Sequence, residues 1–264
     1  MTDLPLMNYD KVYSELIEFI RIEMEKTGMK KAVLGLSGGL DSAIVSFLAS
    51  KALGPENVTG ILMPYRTSNR SSFNDAMKMV EFTGIKHKII EITNAVDVIA
   101  KHNMTDTEHL KAIRLGNIMA RVRMITLFDF STAHDAIVFG TGNKSEILLG
   151  YFTLFGDGAN AINPIGSIYK THLFQLAEHL ELPEAVIRKA PSADLFEGQT
   201  DESELGFEYR NMDPVLYALY DLKMDKNAVI AKGCNKELVE FVFKRVPSMQ
   251  YKTKIPIIAK LELY

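Results

Sequence analysis

Short apolar runs alternate, along the first half of the chain, with stretches in which apolar residues return every three or four positions. Tyr9, Val12, Tyr13, Leu16, Ile17 and Ile20 form one such stripe, which predicts an amphipathic helix over 9–24 that stops by Gly28. The run at 32–36, bounded by lysines and a glycine pair, predicts a buried strand. Helical spacing follows over 41–53 and closes at Gly54-Pro55. A strand over 58–63, broken by Pro64, precedes a helix over 71–83. A strand at 87–92, a long helix over 107–130 and a strand at 136–139 complete the series.

Strands alternating with crossovers long enough for a helix predict a mainly parallel sheet covered on both faces. The right-handed crossover rule then favours an α/β fold of the Rossmann-like, doubly wound kind, with flanking helices. After Gly150 the pattern changes. Residues 151–168 are rich in glycine and aromatics without a period, and short helical patterns follow at 172–179, 184–189, 213–222 and 236–245. These predict a helical C-terminal region, while the acidic stretch 197–206 reads as a mobile loop. No repeat divides the chain, so 1–264 is expected to be a single domain.

Composition narrows the class. With 47% hydrophobic and 24% charged residues, the chain is an ordinary globular one. Its net charge of −3 gives no electrostatic case for nucleic acid, so an anionic ligand must be held by locally placed groups. Cys234 is the only cysteine, which excludes an internal disulfide and a cysteine-rich zinc site. The first residues do not read as a signal peptide, and no run approaches the ~20 apolar residues that span a bilayer. A cytoplasmic protein with no membrane contact is expected.

The predicted strand at 32–36 runs straight into Ser37-Gly38-Gly39-Leu40-Asp41-Ser42, and a helix begins at the aspartate. Adjacent glycines let the backbone approach an oxygen-rich group, and a helix N-terminus at a strand's carboxyl end favours anions. Ser37 and Ser42 could add hydroxyl donors. Asp41 would repel phosphate unless a divalent cation lies between them, and Mg²⁺ is the usual partner of nucleotide phosphates. The loop has no lysine and is not a Walker A motif. A tight turn with Asp41 as a helix cap is the plainer alternative. The strand before, the helix after and a serine on each side favour the phosphate reading.

With this SGGxDS signature the sequence resembles the PP-loop ATP pyrophosphatases, which split ATP between its α and β phosphates and adenylate an oxygen of the acceptor. Further blocks extend the likeness. Arg114, Asn117 and Arg121 share one helical face, with Arg123 off it, although by themselves they would suit a solvated basic surface. Gly140-Thr141-Gly142-Asn143-Lys144-Ser145-Glu146 follows the last strand, where Glu146 is either a second metal carboxylate or an ordinary first-turn acid. Phe155-Gly156-Asp157-Gly158, Asn163-Pro164-Ile165-Gly166 with Tyr169-Lys170, and Ala190-Pro191-Ser192-Ala193-Asp194-Leu195 come next.

In this order the blocks resemble the ammonia-dependent NAD synthetases over essentially the whole chain. The resemblance implies that ATP and Mg²⁺ activate the nicotinate carboxylate of deamido-NAD, and that ammonia displaces AMP. It implies ATP contacts from Gly35, Leu36, Ser37, Gly38, Gly39, Leu40, Asp41 and Ser42, and from Thr141, Lys170 and Ser192. Asp41 and Glu146 would hold Mg²⁺. Asn117, Arg121, Asp157 and Lys252 would meet deamido-NAD, with Asp157 the nearest candidate base for ammonia and Lys170 a stabiliser of the departing pyrophosphate. A homodimer with substrate near its interface is also implied. Leu154 and Ala161 stand where the family often has a lysine and an aspartate, so that end of the substrate must be held differently in detail. Two rivals remain: a sulfur-transferring or RNA-modifying pyrophosphatase, and an ATP-sensing module without turnover.

Overall fold

The computed structural model describes residues 3–101, 107–190, 200–254 and 257–259. Its centre is strand β1 (Lys31–Gly35), whose Ala32, Val33 and Leu34 are all buried. On one side β1 pairs in parallel with β2 (Val58–Leu62), Ala32 opposite Val58, and β3 (Lys86–Ile89) continues the sheet beyond it. On the other side it pairs in parallel with β4 (Ala136–Val138), Val33 opposite Val138. The order is therefore β3-β2-β1-β4. The chain winds outward from β1 to β3, then returns and lays β4 against the opposite edge of β1. Connections leaving β1 and β4 consequently diverge, and a crevice opens beyond the carboxyl ends of these two strands.

Parallel pairing requires a crossover at every step, and helices supply them. Helix α1 (Tyr9–Thr27) enters β1 through Gly28, whose left-handed φ of 70° lets its N–H reach Glu25 O. Helix α2 (Leu40–Leu53) follows β1 and is buried nearly all round, as expected of a helix with apolar neighbours on every side. Helix α3 (Arg70–Thr83) joins β2 to β3. Two helices, α4 (Thr93–Ala100) and α5 (Glu108–His134), precede β4. Side-chain alternation along β1 sorts the faces. Ala32 and Leu34 join a core with α1, α2 and α3, while Val33 packs with Ile61, Val96, Met119 and Val138 under α4 and α5.

A third core belongs to the C-terminal helices. It gathers Leu149 of α6 (Lys144–Leu149), Met212 and Leu216 of α10 (Tyr209–Leu216), Val229 of α11 (Lys226–Ala231), and Val239 and Val242 of α12 (Lys236–Met249). Helices α7 (Lys170–His179) and α8 (Glu184–Ile187) pack back toward the sheet.

Several expectations are corrected. The stretch 197–206 is a loop by pattern, yet Asp201–Leu205 forms helix α9; residues 197–199 lie outside the described ones. Thr200 caps it by accepting from Ser203 N, its acids suit a first turn, and Gly206 ends it at φ 79°. One and a half turns are too short to display a period. Helices α4, α6 and α11 escaped the pattern for the same reason, being eight residues or fewer. The helix expected at 213–222 starts earlier, at Tyr209, and passes into a π-helical turn at Tyr217–Asp221. The aperiodic segment 151–168 contributes one parallel bridge, Ile162 beside Phe139. Among the described residues no helix is long and apolar enough to cross a membrane.

Candidate active site

The glycine loop is shaped by its own hydroxyls. Ser42 Oγ donates to Gly39 O at 3.0 Å and accepts from Ser37 N at 3.3 Å, while Gly39 N donates to Ser37 Oγ at 3.2 Å. Both serines thus hold the turn, and Ser42 is buried. Gly38 has φ +76°, and a Cβ there would lie 2.1 Å from Ser72 O of α3. Only glycine allows the loop to press this close to its neighbour. Lys189 adds a brace that sequence reading overlooked, its Nζ donating to Gly38 O at 3.2 Å and Ser72 Oγ at 2.8 Å.

The second loop, after β4, ends in a capping box. Asn143 Oδ1 accepts from Glu146 N at 3.0 Å, and Glu146 Oε2 accepts from Asn143 N at 3.3 Å. The fully buried Asn143 also donates through Nδ2 to Asp41 Oδ1 at 3.2 Å, joining the two loops across the crevice. Glu146 is thus the first-turn acid of α6 through one oxygen, and its other oxygen faces the site.

That site is organised by Lys170, the first residue of α7. Its buried ammonium donates to Asp41 Oδ2 and lies 3.5 Å from Glu146 Oε1. Its backbone N donates to Ser145 Oγ at 2.9 Å. Ser145 Oγ in turn donates to Asp213 Oδ1 at 2.6 Å, and Asp213 Oδ2 accepts from Thr171 N at 2.8 Å and Thr171 Oγ1 at 2.7 Å. Asp213, which no motif marked, thereby fastens the starts of α6 and α7 to α10.

The Lys170 ammonium has three acidic neighbours. Asp41, Glu146 and the buried Asp201 all act on this one ammonium. Burial pushes the Glu146 acid up to about 8, with Lys170 opposing and Asp41 reinforcing. Burial also raises the Asp201 acid, again opposed by Lys170. Desolvation works to lower the Lys170 pKa, but the charges of Asp41 and Glu146 outweigh it and hold the amine above its usual range.

A cavity of about 420 Å³ opens from this cluster and is lined by both loops. Gly35, Leu36, Ser37, Gly39, Leu40, Asp41, Ser42, Thr141, Glu146, Lys170, Asn117, Asp157 and Lys252 all reach its wall. At the rim Thr153 bridges two of them, Thr153 Oγ1 donating to Asn117 Oδ1 at 2.8 Å and Thr153 N to Asp157 Oδ1 at 2.9 Å. Lys252 Nζ donates to Gly150 O and Phe152 O at 2.7 and 2.8 Å. Arg121 is not on the wall; its Nε donates to Leu154 O at 3.3 Å. Arg123, set apart from Arg121 by helical spacing, lines the cavity and donates to Met63 O at 3.2 Å. Ser192 lies outside the described residues.

A glycine loop and a carboxylate pair at the switch point of a doubly wound sheet define the class, a PP-loop ATP pyrophosphatase. The family model for NAD synthase matches residues 12–256, and the chain belongs to that family. An NH(3)-dependent NAD(+) synthetase from Fusobacterium nucleatum subsp. nucleatum is 48% identical over 256 residues, spanning 97% of this chain and 98% of the relative. The solved NH3-dependent NAD synthetase of Campylobacter jejuni, in complex with the nitrate ion, superposes with TM-score 0.80 at 35% identity, covering 96% of this chain and all of that one. The NMN synthetase of Francisella tularensis superposes with TM-score 0.85 at 29% identity, covering 97% and 100%.

Proposed function

We propose that this chain completes NAD by ATP-dependent amidation of deamido-NAD, with free ammonia as the nitrogen source. The observation that carries the reading is the meeting of Asp41, Glu146 and Lys170 beside the glycine loop, in a chain of the NAD synthase family. Near full-length likeness to enzymes named for ammonia dependence supports the nitrogen source.

The nicotinate carboxylate attacks the α-phosphorus of ATP, so no protein nucleophile is required. The protein's work is alignment and charge stabilisation. The glycine loop holds phosphate oxygens against backbone N–H groups, and Lys170 supplies positive charge for the departing pyrophosphate. Asp41 and Glu146 each turn one oxygen toward the Lys170 ammonium, so the position already suits a cation with oxygen ligands. No group of three His, Cys, Asp or Glu among the described residues could hold a metal by itself. The pair fits Mg²⁺, which favours one or two carboxylates with phosphate oxygens and water. When bound there, it neutralises charge on the phosphates. Thr141 and Ser192 complete the ATP contacts. Asn117, Asp157 and Lys252 hold deamido-NAD at the cavity wall, and Arg121 does so outside it. Asp157 is the base that relieves the attacking nitrogen of a proton.

The same reading makes the protein a homodimer working in the cytoplasm. Exposed Val98 and Ile99 of α4 and Ile125 and Phe128 of α5 give a surface that a second copy would cover. The absence of a membrane-crossing helix among the described residues is compatible with the compartment.

One observation favours a second acceptor, the close superposition on an NMN synthetase, whose acid substrate would be the mononucleotide. The experiment supplies protein, Mg-ATP and ammonium with either nicotinate dinucleotide or nicotinate mononucleotide, and follows AMP, pyrophosphate and the amide. NAD formation with the dinucleotide at the higher kcat/KM is expected. Preference for the mononucleotide would transfer the assignment. Release of AMP with neither would remove the synthetase reading, and ATP binding without AMP would leave a sensor.

A further inference from the structure

Among the acids around Lys170, Asp201 has no assignment in the chemistry above. It is only 4% exposed, it lines the cavity, and its Oδ1 is a buried acceptor without a hydrogen-bond partner among the described residues. A buried carboxylate oxygen left so is costly, and such an atom facing a cavity marks the place of a missing donor. Its surroundings state what kind of donor. Tyr209 OH reaches the other oxygen at 3.4 Å. Tyr151 OH donates to Glu204 Oε2 at 2.6 Å and also lies within hydrogen-bonding reach of the Asp201 carboxyl, as Tyr209 does. The Tyr209 ring presents its face to the Lys170 ammonium at 5.8 Å, so an alkylammonium already lies over it.

We infer that Asp201, with Tyr151, Glu204 and Tyr209, forms the site that captures the ammonium ion before its nitrogen enters the reaction. The inference rests on the proposed synthetase activity and adds to it the place where the nitrogen donor binds. Three observations converge on a small monovalent cation. Asp41, Glu146 and Asp201 gather around a single buried ammonium, an arrangement that already holds one alkylammonium. The empty acceptor needs an N–H or O–H donor, and ammonium offers four. Tyrosine hydroxyls and an aromatic face suit ammonium, whereas Mg²⁺ requires an octahedron of hard oxygens and retains its water. Helix α9, which carries Asp201 and Glu204, is anchored from the far side by Tyr209 N donating to Glu202 Oε1 at 2.9 Å. The anchor keeps the carboxylate at the wall.

The test separates the two half-reactions. Adenylation alone is read as exchange of labelled pyrophosphate into ATP, dependent on deamido-NAD and without ammonium. Amidation is read as NAD formation against ammonium concentration. For Asp201→Asn the expected result is a KM for ammonium raised at least about tenfold, the loss of one charge-assisted contact. Because Asp201 also bears on Lys170, any change in pyrophosphate exchange or in the KM for ATP should be several-fold smaller than the rise in the KM for ammonium. An unchanged KM for ammonium with intact exchange would overturn the inference and assign the empty acceptor to a water. A change in the Mg²⁺ dependence of exchange, with ammonium unaffected, would overturn it in favour of a second divalent ion. Absence of exchange in the parent protein would instead refute the synthetase reading itself. Should Asp201→Asn fail to fold, Tyr151→Phe keeps the ring and removes only the hydroxyl, and the same criteria apply to it.

Discussion

Two buried acidic clusters stand side by side in this protein, one around Asp213 and one around Lys170, and the fold treats them in opposite ways. Asp213 is fully buried and accepts from Ser145 Oγ, Thr171 N and Thr171 Oγ1, all neutral donors within 2.8 Å. Its hydrogen bonds answer the burial that raises its acid, and they clamp the starts of α6 and α7 to α10. Around Lys170, Asp41, Glu146 and Asp201 share one ammonium, and an oxygen of Asp201 has no partner among the described residues. The same residue type is architecture where donors match acceptors. It is a binding site where several acids share one cation and their acceptors are left incompletely matched.

Three perturbations test that contrast, the largest first. Asp41→Asn should lower turnover at least about a thousandfold, roughly 4 kcal/mol of transition-state stabilisation. It should lower the unfolding free energy by less than Asp213→Ala does, because Glu146 and Asp201 remain beside Lys170. NAD formation at saturating Mg²⁺ and urea unfolding curves measure the two quantities. Turnover that survives would place Asp41 with the architectural acids. Asp213→Ala should do the reverse to stability, removing about 3 kcal/mol by stranding buried donors of Ser145 and Thr171. A urea midpoint equal to the parent's would break the contrast from the other side.

The third test concerns pH, whose effect per pH unit is the smallest of the three. Glu146 is raised from 4.5 to about 8 in the fold, so the folded protein keeps a proton that the unfolded chain releases above about 4.5. Stability without divalent cation is then greatest below that lower value and falls as pH rises toward 8, by at most about 1.4 kcal/mol per pH unit. Urea unfolding at several pH values between these limits should show the slope in the parent and a flatter one in Glu146→Gln. Equal slopes would mean that the retained proton does not reside at Glu146.

Much of the molecule was legible in its residues. The alternation of strands and helices carried the sheet, and every strand expected is present within a few residues of its predicted bounds. The phosphate loop was legible because strand, glycine pair and helix start are adjacent in the chain. Glu146 and Lys170 were reached through resemblance, and the structure brings them to Asp41. Asn143, Asp201 and Asp213 were missed. Asn143 carried one local signal, an asparagine three residues before a glutamate, which is a capping pattern; its bond to Asp41 had none. Asp201 stood in a short acidic stretch whose composition resembles a solvated loop.

The sequence alone therefore determined whatever depends on neighbours in the chain: the periodic elements, the turn that needs glycine, and the loop shape set by Ser37 and Ser42. Tertiary structure alone decided which charges meet. Asp41 lies 102 residues from Asn143 and 129 from Lys170, and no local pattern encodes those distances. They close because β4 returns to the free edge of β1, bringing two strand ends together, and because α7, α9 and α10 then pack over the crevice. Strand order and helix packing, which follow from burying apolar faces across the whole chain, turn separate acids into one site.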